Sequence, residues 1–113
     1  MKKYAIVLFI FLASCEGIDC QKLSGIYRDY ECLLIIKKIN DVNSVYNFDV
    51  DGVSLKSNKD TVYNQQNRWY CTYYKQMSIG DTIIKRKGEL TFNIHKKDTI
   101  LSFDWECEGK VYK

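Results

Sequence analysis

The chain has 113 residues, enough for one small domain with a modest hydrophobic core. Its 17 Lys and Arg face 14 Asp and Glu, a formal charge of +3. Two of the lysines, Lys2 and Lys3, stand at the very start; without them 15 basic residues face 14 acidic ones, too weak a field to draw the domain to nucleic acid or anionic lipid.

Ala5 to Ala13 carries no charge. A permanent spanning helix needs ~20 apolar residues, so this run is too short. A basic start, a short apolar centre and a small-residue end read as a secretory signal. Its end, Leu12-Ala13-Ser14-Cys15, resembles the lipobox of bacterial lipoproteins. In that family the cysteine thiol receives a diacylglycerol and the chain is cut just before it. The resemblance implies a signal peptide over 1–14 and a lipidated Cys15. It also implies anchorage in the cell envelope, at the outer membrane, by acyl chains such as palmitate. Each buried methylene of such a chain contributes ~0.8 kcal/mol. An ordinary secreted protein, cut after Ser14 or Gly17, is the plainer alternative. Residues 15–23 then read as a lipidated tether and 24–113 as a single β-rich domain.

With Cys15 set aside, Cys20, Cys32, Cys71 and Cys107 remain. In an oxidising compartment cysteines pair, and four allow two disulfides in three connectivities. The gaps of 12, 39 and 36 residues lack the close pairs of a zinc site.

Cys32 to Ile36 is apolar on both faces and predicts a buried strand, with a short helix as the alternative. Residues 45–55 alternate, Phe48 and Val50 on one side, Asn47, Asp49 and Asp51 on the other; Gly52 is expected to break this strand. Residues 57–66 are polar and are expected to form the longest loop. Residues 67–77 suit a short helix capped by Asn67, with Trp69, Tyr73 and Met77 on one face. Their aromatics would also suit a strand. Thr82 to Lys85, then Leu90 to His95, then Thr99 to Cys107 predict a three-strand meander. On that register Phe103, Trp105 and Cys107 face the core. Gly109 ends the last strand, and Val111-Tyr112 finishes the sheet.

Gly80-Asp81-Thr82-Ile83, one residue, then Lys85 resembles a feature of small secreted proteins and lipoproteins of Bacteroidota, chiefly flavobacteria. An aromatic stretch often precedes it there, as residues 69–74 do here. The resemblance covers roughly 67–113; it implies a shared fold and an envelope location, and no activity. Turn chemistry alone also explains Gly-Asp before a strand.

Catalytic signatures are weak. Asn47-x-Asp49-x-Asp51-Gly52 imitates the start of a calcium loop, but its twelfth place is Asn58 rather than Glu. His95 is the only histidine and falls on a polar strand face with no nucleophile motif. Asp104, Glu106 and Glu108 have carboxylate spacing that any polar strand face offers. The clusters Lys85-Arg86-Lys87 and His95-Lys96-Lys97 read as solvated faces. Arg68, Trp69, Tyr70, Tyr73 and Tyr74 form the one candidate interaction cluster, since aromatics and Arg make hot spots; they are equally core material. The expectation is a mainly β domain (α+β as the alternative), a small antiparallel sheet or partly open barrel with one short helix and disulfides. No catalytic residue, metal or cofactor is read. The expected role is a non-catalytic envelope binding or structural module with the membrane and an envelope protein as partners. A small inhibitor or immunity lipoprotein is the alternative, and a hydrolase the third.

Overall fold

The structure is a computed structural model that describes residues 18–113. The expected signal over 1–14, the expected lipobox and Cys15 lie outside the described residues. The domain is mainly β, one six-stranded antiparallel sheet that does not close into a barrel.

Asp19 caps the first helix, α1 (Cys20–Asp29), by accepting from Lys22 N at 3.1 Å. Residues 20–23, expected as the end of a tether, form the first turn of this helix. Cys20, Leu23 and Tyr27 recur at helical spacing and pack against the core.

From the middle of the sheet the chain runs outward through β1 (Cys32–Ile39), β2 (Asn47–Ser54) and β3 (Asp60–Gln66). α2 (Arg68–Thr72) and one 3-10 turn (Tyr74–Gln76) bring it back. It then runs outward the other way through β4 (Thr82–Lys85), β5 (Thr91–His95) and β6 (Ile100–Asp104). The strand order is β3-β2-β1-β4-β5-β6, every pair antiparallel. Short turns build both meanders, and only β1 and β4 meet across a long connection.

One sheet face is buried. Cys32, Leu34, Ile36, Phe48, Val50, Ile83, Phe92 and Ile94 point into it, as strict alternation requires. α2 covers them with Trp69 and Tyr70. The expected cap is present: Asn67, almost fully buried, accepts from Tyr70 N at 2.9 Å. Trp69 and Met77 are buried as expected, but α2 gives way to the 3-10 turn after Thr72. That change of pitch buries Tyr74 and leaves Tyr73 half-buried.

Three expectations are corrected. Residues 60–66 are not loop but an edge strand paired along its length with β2. An edge strand has solvent on most sides, so its polar composition is no bar to pairing. Gly52 does not break β2; it pairs with Ile36 beside a bulge at Ile36/Lys38 of β1. Its backbone approaches β1 closely, and a Cβ there would collide with the Ile35 carbonyl oxygen and lie 2.9 Å from Leu34 Cδ1. Gly52→Ala is expected to cost about 2 kcal/mol, the range for overpacking a tight site, read as a lower urea midpoint; an unchanged midpoint would show that the strands can part.

The third correction is at the end of the sheet. β6 stops at Asp104, and Trp105 N turns to bond Leu90 O at 2.9 Å. β7 (Glu106–Cys107) and β8 (Lys110–Val111) then form a separate ribbon. Glu108 and Gly109 both have positive φ, 51° and 78°, the conformation of a two-residue hairpin turn.

Candidate functional site

Three elements converge at one end of the buried face. α1 supplies Leu23 and Tyr27, α2 supplies Arg68 and Trp69 with Thr72 and Tyr73 behind, and the segment from β6 to β7 supplies Asp104, Trp105 and Glu106. They enclose an open cleft of ≈ 440 Å³. Tyr27 lies between the two indoles, 5.9 Å from Trp69 edge-on and 5.3 Å from Trp105. Phe92 supports Trp69 from below at 4.9 Å, and Phe103 stacks on Tyr73 at 4.0 Å. The aromatic walls are thus set by the core rather than free to swing.

α1 is clamped at both ends. At its start Cys20 is bonded to Cys107, with the Cα atoms 5.8 Å apart. At its finish Lys85 Nζ donates to the carbonyls of Arg28 (3.0 Å), Tyr30 (2.8 Å) and Arg86 (2.9 Å). Lys85 is fully buried, so the expected solvated face over Lys85-Arg86-Lys87 is wrong at this residue. An ammonium has three protons, and all three are used. The Arg28 guanidinium adds bonds to the Lys113 and Gly88 carbonyls. Lys96 of the other basic cluster is also engaged, paired with the buried Asp81.

The expected interaction cluster divides. Arg68, Trp69 and Tyr73 line the cleft. Tyr70 is core, edge-on to Phe48 at 5.1 Å and Phe92 at 5.0 Å. Tyr74 is also core: its hydroxyl donates to Asn47 O at 2.7 Å and accepts from Asp49 N at 2.9 Å. Tyr27 and Trp105 complete the site and were not in that cluster. Tyr27 could have been found from the Cys20-Leu23-Tyr27 spacing; Trp105 was placed toward the core without its partner wall.

Four cysteines do not make two disulfides. Cys32 and Cys71 are buried thiols. Cys32 lies at the start of β1 on the buried sheet face, whereas Cys71 lies on α2 above it. The two thiols thus lie in different neighbourhoods of the core.

The remaining candidates stay apart from the cleft. His95 is half-buried in β5, paired with Thr82 and Ile100. Asp49 and Asp51 both accept from the Asn40 amide, at 3.0 and 2.9 Å. Among the described residues no group of His, Cys, Asp or Glu is arranged to hold a metal ion.

Burial raises the pKa of Tyr27, Tyr63, Tyr70, Tyr73 and Tyr74 above 10.0, and of Cys32 and Cys71 above 9.0. These acids keep their protons in the folded chain at a pH where the unfolded chain releases them, so their stability contribution is lost as pH rises from about 9. Lys85 acts in the opposite sense: burial lowers it from 10.5 to about 8, which adds stability between those values. Seven raised acids outweigh one lowered base. The denaturation midpoint is expected to be lower at pH 10.5 than at pH 8; a higher midpoint would contradict these burials.

The fold and cleft define a class: an open antiparallel sheet, covered on one face by two helices that wall an aromatic groove. No family model, curated protein or solved structure matches the chain.

Proposed function

We propose that the chain is a lipid-anchored binding protein of the bacterial cell envelope, non-catalytic, with the aromatic cleft as its ligand site. The observation that carries the binding part is the cleft itself. Tyr27, Trp69, Tyr73 and Trp105 meet there on elements braced by a disulfide and by Lys85. A concave site with aromatic walls and a few polar groups is the usual form of a ligand pocket. The anchored part is supported by Leu12-Ala13-Ser14-Cys15. Among the described residues no helix is long and apolar enough to cross a membrane.

Two measurements test the two parts. Fatty-acid label should enter the wild-type protein and be lost in Cys15→Ala; equal label in both would remove the anchor. A photo-crosslinking residue at Thr72, exposed on the cleft, should capture an envelope component that the same residue at Val62, 66% exposed on the far edge strand, does not. Equal capture at both positions, or capture at neither, would remove the cleft as the ligand site.

A further inference from the structure

The cleft is aromatic within and acidic at its rim. Asp104, Glu106 and Glu108 line one side, against a single cation, Arg68. The Arg68 guanidinium stands 5.0 Å over the ring of Tyr46, just before β2, and makes no ion pair with the carboxylates. Asp104 is only partly compensated: its Oδ1 accepts from Thr91 and its Oδ2 lies 3.5 Å from the exposed Lys113 ammonium. Glu106 and Glu108 are exposed and have no ion-pair partner among the described residues. Aromatic faces attract cations, and adjoining carboxylates add to that attraction.

We propose that the cleft receives a basic, extended segment of a partner polypeptide, its Lys or Arg side chains set between the aromatic walls and Asp104, Glu106 and Glu108. This rests on the reading of the cleft as the ligand site. Charge complementarity fixes the sign of the partner. The sheet fixes its kind, because β6 is the outermost strand, pairs with β5 alone and ends at Asp104 on the cleft. Its outer edge offers backbone groups to a further strand, the mode in which main-chain bonds give affinity and alternate side chains give specificity. The field of the carboxylates is felt inside the cleft: the Tyr73 hydroxyl is raised first by burial and then by Glu106 and Asp104.

The two tryptophans of the chain, Trp69 and Trp105, both line the cleft, so intrinsic tryptophan fluorescence reports on it. The full chain, purified in detergent, would be titrated with three probes. These are an octapeptide alternating Lys and Thr, the same peptide with Gln for Lys, and a neutral oligosaccharide. The Lys peptide should shift the emission and the Gln peptide should not. Its affinity should fall roughly tenfold in the double variant Glu106→Gln/Glu108→Gln, and fall again with added salt, as expected of rim charges. Both glutamates are exposed, so the variant should keep the emission spectrum of the unliganded protein. Equal binding of the two peptides, or an unchanged affinity in the double variant, would overturn the inference. A response to the oligosaccharide alone would overturn it while leaving the cleft a ligand site. Silence to all three probes would also overturn it, and crosslinking at Thr72 would then judge the cleft separately.

Discussion

Cys107→Ser is expected to lower the unfolding free energy by about 4 kcal/mol. The bond joins residues 87 apart in sequence, nearly the whole described domain. Cross-linking a loop of that length restricts the unfolded chain by roughly 4–5 kcal/mol on the loop-entropy account. A domain of this size has ~5–15 kcal/mol in all, so the loss is a large share. With a urea slope of ~1–1.5 kcal/mol/M the midpoint should fall by about 3 M. Cys20→Ser should do the same, and the two together should cost no more than either. The effect on the site should be local as well as global. α1 carries Tyr27, and without the bond its first turns are held only by packing of Leu23 and Tyr27. Emission from Trp69 and Trp105 should then move toward that of solvated indole before global unfolding. A midpoint unchanged from wild type would mean that α1 is held without the bond.

Lys85→Met is the second large effect, expected at about 2 kcal/mol. Methionine keeps most of the volume and removes the ammonium. The Tyr30 carbonyl then loses its donor, while those of Arg28 and Arg86 each lose one of two and still accept from Gly88 N and Glu89 N. Each buried acceptor left unsatisfied costs ~1–3 kcal/mol, offset in part because a buried ammonium no longer has to be desolvated. The stabilising trend contributed by this group between pH 8 and 10.5 should vanish in the variant. Backbone amides at the end of α1 should exchange faster than those of β1. Equal stability of variant and wild type would show that the carbonyls find water instead.

The same lysine clarifies the stretch from Gly80 to Lys85. Gly80 has φ +97°, Asp81 accepts from Ser78 N at 2.9 Å and pairs with Lys96, Ile83 is core, and Lys85 clamps α1. Four of the five residues of the pattern thus have a structural task, Thr82 lies in β4 beside them, and none of the five lines the cleft. The pattern belongs to the scaffold, which agrees with turn chemistry as its cause.

What could be read from the residues follows physical periodicity. β4, β5 and β6 were legible because Ile83, Phe92 and Ile94 alternate with polar neighbours on a sheet with one buried face. The helix after Asn67 was legible from its cap. β3 was not, since its edge position asks little of its side chains beyond Tyr63. α1 was not, because the residues after Cys15 are few and its apolar stripe is only Cys20, Leu23 and Tyr27. The burial of Lys85 was hidden in a basic run, where one residue of three turns inward to meet carbonyls that only the tertiary fold brings together. Parity of the cysteines suggested a second bridge, but Cys32 on β1 and Cys71 on α2 serve as apolar core. Half of the cleft was visible as the Arg68 to Tyr74 cluster. The other half required knowing that residues 20–27 and 104–107 lie against it.

Cysteine mapping of the protein isolated from its cells tests the account most directly. Thiols would be alkylated under denaturing conditions without reductant, and the peptides identified by mass. One Cys20–Cys107 link, alkylated Cys32 and Cys71, and a lipid on Cys15 is the predicted pattern. A Cys32–Cys71 link, or Cys20 and Cys107 recovered as thiols, would contradict the clamped helix on which the cleft depends.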